Sequence, residues 1–348
     1  MSNHNFYSHE EIHGQYISLG LTLDYILKNE KSIKNFFEQP GDIVFLASGS
    51  SYWMSLSAHK TMHLFTGRRT FAVMAGEIVM CPDEFIKLFE SPMILVPSRS
   101  GLTQECLEAI DILIEAYPSA RILSVTEYTE NKLMERSDLH LSIGWANERS
   151  VCQTRSFSNL YLAFITIAAI VGERKGFIKQ LRNYLAHAPA LYAMHENDIK
   201  SIISENQITS LVTLGSGLQY GVAIEGAYIV IEMAEFSSNY YQLLEYRHGP
   251  IVTAGKGTAV FICANGQLQE TESKLAAEIR ETGACVYLVT CSPQDWADHT
   301  FSLESEYAKE IVSLHFVFVL QSFAYHFSIA RMKNPDKPGN LTPFISYK

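Results

Sequence analysis

The chain has 348 residues, 47% of them hydrophobic and 18% charged, with a formal net charge of −10 and a mean hydropathy of +0.02. That length suits two hydrophobic cores better than one, and the composition is far from the low-hydrophobicity, high-charge pattern of disorder. An acidic balance without a Lys/Arg stripe argues against nucleic acid as a partner, because phosphate neutralisation supplies most of that affinity.

The N-terminus, MSNHNFYSHEEIHG, has no basic segment leading into an apolar run, so no signal peptide is expected. Residues 1–40 read as a helical extension. Residues 42–49 (DIVFLASG) form a short apolar run that ends in a glycine turn before a helix-like segment. Residues 210–217 (SLVTLGSG) repeat this pattern, and Tyr52 and Tyr220 stand at matching places beyond it. Further on, 93–97 (MILVP) pairs with 259–264 (AVFICA), and 121–125 (RILSV) with 285–290 (CVYLVT). These runs lack an alternating polar face, as strands do when helices cover both sides of the sheet. Residues 104–117 and 273–282 carry apolar side chains at helical spacing. Alternating strands and helices predict an α/β fold of two doubly wound parallel sheets, over 41–177 and 205–333. A helical linker (178–204) joins them, and a tail (334–348) follows. The most apolar stretch, 311–330, contains Ser313, His315, Gln321, Ser322, His326 and Ser328. That polarity predicts a helix buried in protein, with no membrane partner. The six cysteines (Cys81, Cys106, Cys152, Cys263, Cys285, Cys291) form no C-x-x-C pair and no zinc-type spacing. They read as buried small hydrophobes in a reducing, cytoplasmic compartment, with no metal expected.

Ligands of open parallel sheets bind beyond the carboxyl ends of the strands. The first such loop, ASGSS, offers Ser48, Ser50 and Ser51 beside Gly49. The second, SRSGLTQE, offers Ser98, Ser100 and Thr103 around Gly101. A phosphate wants several donors and free N–H groups at a helix start. Helix capping explains one serine-rich loop equally well; two such loops, after adjacent strands, favour a ligand. No Walker or dinucleotide glycine motif follows the first strand. A third loop, 148–157 (ERSVCQTRSF), has Thr154 and Ser156 as candidate caps and Arg155 as a plain surface cation. In the second half, EGAYIVIE sets Glu225 and Glu232 seven residues apart, on nearly one helix face. EYRHGP then leaves His248 on a broken loop. A carboxylate and a histidine brought together make an acid/base pair near neutral pH, although a lone histidine is more often structural.

Taken in order, these motifs resemble those of proteins with two sugar isomerase (SIS) domains. SRSGLTQE is similar to the family's S-x-S-G-x-T-x-[DE] phosphate loop, and ERSVCQTRSF to its E-x-x-V-x-x-T-[KR]-x-F segment. EGAYIVIE with EYRHGP resembles its E-G-A…E and E-[FLY]-[KR]-H-G-P pair, and residues 334–342 (NPDKPGNLT) its tail. The isomerase half of glucosamine-6-phosphate synthase, the aminosugar-phosphate deaminases and the Amadori-product deglycases are the nearest branches. The resemblance implies two tandem flavodoxin-like αβα sandwiches that bind a phosphorylated sugar without a cofactor. It implies that Ser98, Ser100 and Thr103 bind the phosphate, with Arg99 alongside through its backbone and Ser50 and Ser51 nearby. Val151, Gln153 and Glu225 would join the substrate-binding set. Glu232 would move a proton between C1 and C2, and His248 would open the ring or act as general acid. A homodimer is implied, with a shared active site and His248 arriving from the neighbouring subunit.

Departures from the synthase pattern shift the expected chemistry. Ile229 and Pro343 stand where the synthase has lysines, and Gln153 where it has serine. The chain opens Met-Ser, without room for the synthase's glutaminase half, so glutamine is not expected as nitrogen donor. The expected activity is therefore isomerisation coupled to amine loss from a phosphorylated aminosugar or ketosamine. The alternatives are a fructosamine-phosphate deglycase and a non-catalytic sugar-phosphate sensor. The segment before Asp42 lacks the basic helix-turn-helix pattern of such sensors.

Overall fold

The computed structural model describes residues 6–264, 269–303 and 305–342. They cluster into two units interleaved in sequence. One is built on Ile17–Glu148 and Arg155–Lys179, the other on residues 6–16, Arg149–Thr154 and Gln180–Leu341.

Three helices open the chain: α1 (Tyr7–His13), α2 (Gln15–Lys28) and α3 (Glu30–Phe36). The first sheet and its helices follow as β1 (Ile43–Ala47), α4 (Ser50–Thr66), β2 (Thr70–Met74), α5 (Ala75–Met80), β3 (Met93–Ser98), α6 (Gln104–Ala116), β4 (Arg121–Thr126), β5 (Leu139–Ser142) and α7 (Arg155–Val171). After the long helix α8 (Lys175–Glu205) the pattern repeats: β6 (Ser210–Gly215), α9 (Gln219–Ala234), β7 (Ser238–Gln242), β8 (Thr258–Cys263), α10 (Gln269–Glu281), β9 (Cys285–Thr290), β10 (His299–Ser302) and α11 (Lys309–Ala330).

Both sheets have five strands, and every pairing is parallel. The order is β2-β1-β3-β4-β5 in the first, and the second, read from its β7 edge, is β7-β6-β8-β9-β10. The internal repeat in the sequence is therefore a repeat of topology, and the doubly wound α/β reading holds. Successive strand residues face opposite layers. Val44 and Leu46 pack with Ile94, Val96, Ile110 and Leu113 beneath α5 and α6, while Phe45 meets Phe164 of α7 at 5.2 Å. In the second sheet Val212, Leu214, Val260 and Ile262 pack with Leu275 and Ile279 of α10, and Phe261 meets Phe323 of α11 at 4.9 Å. Central strands are buried along their whole length. The edge strands β2 and β7 are only half-buried, and the polar residues of β7 leave no apolar run in the sequence.

Helix α11 bears out the buried reading. Among the described residues it is the one helix long and apolar enough to cross a membrane, and nearly all of it is enclosed in protein. Its polar groups are paired there, as buried polar groups must be. His315 Nδ1 lies 3.1 Å from Tyr184 Oη and its Nε2 2.7 Å from His195 Nδ1. Gln321 Nε2 donates to the Thr154 carbonyl at 2.8 Å. All six cysteines are free thiols. Cys106, Cys152 and Cys263 are buried as expected, whereas Cys81 is exposed and Cys285 and Cys291 are half-buried, which corrects the uniform reading.

The glycine of EGAYIVIE has a packing cause. A Cβ on Gly226 would stand 2.0 Å from Leu320 Cδ1 of α11, where Leu320 is fully buried. Gly226→Ala is expected to lower stability by about 1–2 kcal/mol, overpacking outweighing the gain in helix propensity. Chemical denaturation measures this, and a variant as stable as the wild type would contradict the close approach of α9 and α11.

Candidate functional site

In the first sheet the strand order reverses at β1, which pairs with β2 on one side and β3 on the other. Ligands bind at such switch points, in the crevice outside the carboxyl ends of the two strands. The loops that follow β1 and β3 are the two serine-rich loops. They touch: Ser48 Oγ lies 3.7 Å from Cys106 Sγ in the first turn of α6.

The loop after β3 is tightly built. Ser98 Oγ accepts the Gly101 N–H at 3.0 Å, and Ser100 Oγ accepts the Leu102 N–H at 3.1 Å. Gly101 has φ +65°, and a Cβ there would stand 2.2 Å from Asn131 Oδ1. The Asn131 side chain is itself fixed, donating to Thr126 Oγ1 and Tyr128 O and accepting the Met134 N–H. Only glycine fits beneath it. Thr103 is the N-cap of α6, yet its side chain makes no capping hydrogen bond. Gly49 likewise starts α4 without a side-chain cap, leaving Ser50 and Ser51 in its first turn. Two helix N-termini, each a site of partial positive charge, thus carry the serine-rich loops without side-chain caps. Ser51, Ser98, Arg99 and Ser100 are buried; Ser50 and Thr103 are half-buried.

A buried charge cluster backs this loop. Arg99 Nη1 stands 3.7 Å from Glu148 Oε2, with both side chains enclosed. Glu148 accepts the Ser156 N–H at 3.1 Å and the Ser156 hydroxyl, so it caps α7. Glu127, at the end of β4, donates its N–H to the Arg99 carbonyl at 3.1 Å and accepts the Glu148 N–H at 3.4 Å. Its Oε2 and Arg155 Nε are buried without a hydrogen-bond partner among the described residues. Burial first, then the neighbouring Glu148 charge, raises the Glu127 pKa to about 8, against the opposing pull of Arg99. With Glu127 held toward its neutral form, the Arg99 and Arg155 guanidiniums beside it leave a balance that favours an anion. Arg155 is half-buried and also donates to the Asn147 carbonyl, so it is not the plain surface cation expected. Sequence reading passed over Glu127; its only signal was its place at the carboxyl end of the strand next to β3.

The other unit carries the remaining candidates. Glu225 and Glu232 share α9, Glu225 buried and Glu232 half-buried. Tyr228 lies between them in sequence; burial first, then Tyr240 and the two carboxylates, raises its pKa. Helix α9 packs on β7, and the chain after β7 turns through Glu245–Arg247 to His248, which is exposed. Gly249, with φ +125°, reverses the chain beyond it. Val151 is held by its N–H to the Asp336 carbonyl at 3.1 Å. Just before it, Glu11 of α1 accepts the Arg149 N–H and the Ser150 hydroxyl, each at 2.5 Å. The Asp336 carboxylate accepts the Tyr7 and Ser8 N–H groups and the Ser8 hydroxyl, which caps α1. The tail motif thus fixes the Val151 segment. Gln153 Oε1 is buried with no partner among the described residues. Ile229 is packed in the core at 1% exposure, and Pro343 lies outside the described residues. Lys333 pairs with Glu235, and Arg331 donates to the Ala234 carbonyl, so both are spent at the end of α9.

Two open concavities of about 540 and 650 Å³ lie elsewhere. Asp42 and Thr258 in their linings place them at the amino ends of strands, away from where such sheets bind ligands.

Residues 203–331 match the SIS domain family. The chain is 26% identical over 342 residues to the glutamine–fructose-6-phosphate aminotransferase (isomerizing) of Sulfolobus acidocaldarius, covering 97% of this chain and 56% of that protein. It therefore spans little more than half the length of that curated relative. Its structure is similar to the glucosamine-6-phosphate deaminase of Thermotoga maritima, with 28% identity, a TM-score of 0.78, and coverage of 93% of this chain and 99% of that one. The fold is also that of the tagatose-6-phosphate ketose/aldose isomerase of Escherichia coli, with 19% identity, a TM-score of 0.85, and coverage of 99% and 97%.

The raised pKa of Glu127 makes stability depend on pH. The folded state holds a proton that the unfolded chain releases near pH 4, so the contribution present below that range is lost as pH rises through about 8. Glu127→Gln keeps the neutral shape. It is expected to gain on the wild type as pH rises from 5 to 8, by on the order of 2 kcal/mol at the upper end. Urea denaturation across that range measures the gap; one that stays constant with pH would contradict the buried neutral carboxyl.

Proposed function

We propose that this chain, whose residues 203–331 match the SIS domain family, is a phosphosugar isomerase/deaminase acting on a phosphorylated aminosugar or ketosamine. The observation that carries this reading is the pair of serine-rich loops at the β1/β3 switch point, set on helix starts without side-chain caps. The likeness to a glucosamine-6-phosphate deaminase over most of the chain supports it.

In this reading Ser98, Ser100 and Thr103, the backbone at Arg99, and Ser50 and Ser51 hold the phosphate. The phosphate is remote from the reacting carbons, so its binding energy serves to orient them. Val151, Gln153 and Glu225 contact the sugar. Glu232 takes the proton from C2 and returns it to C1, a task for a carboxylate within reach of a carbon next to a carbonyl. His248 opens the ring or serves as general acid. With a 2-amino aldose phosphate, that proton shift leaves an imine at C2. Water adds to it and ammonia leaves, giving the ketose phosphate with one water consumed and no net oxidation. With a ketosamine phosphate the same groups run the shift from C1 to C2, and the amine on C1 departs by hydrolysis. The buried, apolar setting of Ile229 offers no amine for a Schiff base at that position. The protein works as a homodimer with a shared active site, His248 arriving from the neighbouring copy. Free thiols throughout suit a cytoplasmic setting.

Incubation with a panel of phosphorylated aminosugars and fructosamines, following ammonia, free amine and ketose phosphate together, tests the reading. Ammonia with ketose phosphate is the expected result. An amino acid in place of ammonia would make the protein a deglycase, and binding without turnover a sensor. Glu232→Gln is expected to lower turnover by at least about 100-fold while phosphate affinity stays unchanged; full activity in that variant would remove Glu232 from the mechanism.

A further inference from the structure

Three imidazoles and a carboxylate converge within the second-sheet unit, on residues that no role above uses. His9 and His13 lie one turn apart on α1, Glu196 on α8 and His326 on α11. One donor atom from each falls within 4.8 Å of all the others. His9 Nε2 and His326 Nε2 stand 3.2 and 3.1 Å from Glu196 Oε1, and His13 Nε2 is 3.7 Å from Glu196 Oε2. Four ligands around zinc, at bonds of roughly 2.0–2.2 Å, stand about 3.3–3.6 Å apart. These three distances to Glu196 fall around that edge length, and the remaining pairs lie within 4.8 Å.

The orientation of His13 adds a second reason. Its Nδ1 donates to the His9 carbonyl at 3.0 Å, so in the neutral ring Nε2 presents a lone pair. A backbone acceptor on one ring nitrogen is how metal-binding histidines are commonly oriented. That nitrogen lies 3.1 Å from Ser322 Oγ and 3.7 Å from Glu196 Oε2.

We propose that His9, His13, Glu196 and His326 form a binding site for one divalent transition-metal ion, with zinc the best match to three imidazoles and one carboxylate. The ion clips α1 to α8 and α11. Lys200 Nζ, now 2.6 Å from Glu196 Oε1, is half exposed and swings into solvent when the ion enters. Because α1 also carries Glu11, the clip steadies the Arg149–Ser150 segment that precedes Val151. Zinc-type spacing is invisible in the sequence because only His9 and His13 are close in the chain.

The test is calorimetric titration of Zn²⁺ into tag-free, chelator-stripped full-length protein, with thermal melts in parallel. One equivalent is expected to bind with micromolar or tighter affinity and to raise Tm. His13→Gln and His326→Gln, checked for native circular dichroism, are expected to weaken binding by about tenfold or more and to lose the Tm rise. His63→Gln, at an exposed histidine outside the cluster, is expected to bind as the wild type does. Absence of saturable binding to the wild type would overturn the site, as would binding left unchanged by both cluster variants.

Discussion

The strand order of the two parallel sheets constrains everything else in this protein. Once β2 is laid on one side of β1, the chain returns across the sheet and places β3 on the other side. The helices after β1 and β3 then start side by side at one sheet end, with their partial positive charges together. Nothing in a residue's own propensity does this; it follows from strand order. The serines, the tight turn at Gly101 and the buried Arg99–Glu148 pair are local fittings to a place that topology creates. The second sheet repeats the order at β7-β6-β8. Its first turn, with Ser216 and Gly217, is poorer in hydroxyls than the ASGSS and SRSGLTQE loops.

The charges behind the loop are arranged with equal economy. Two buried carboxyls close together cannot both ionise cheaply. Burial first, then the neighbouring Glu148, pushes Glu127 toward its neutral form, and its Oε2 is buried without a hydrogen-bond partner among the described residues. A neutral Glu127 leaves the positive balance that a phosphate needs. In the other unit, α1 and the tail do the corresponding work for Val151, through Glu11 and Asp336. Both devices join segments far apart in the chain.

That distance marks what the sequence could reveal. The central strands were legible because full burial writes an unbroken apolar run, as in IVFLA and TAVFIC. Edge strands such as SNYYQ were not, since partial burial leaves no periodic signal. The serine loops could be read because glycine and hydroxyl residues cluster locally after a strand. Glu127, Asn131, Glu11 and Asp336 could not, because each acts on a partner that only the fold brings near.

A crystal structure of the protein with fructose 6-phosphate is the most direct test of phosphate binding at the β1/β3 crevice. The phosphate is predicted to sit within hydrogen-bonding distance of Ser100, Thr103 and the first N–H groups of α6, with Ser50 or Ser51 completing its shell. Phosphate density at the equivalent crevice after β6 and β8, or none at either sheet with saturating ligand, would contradict it.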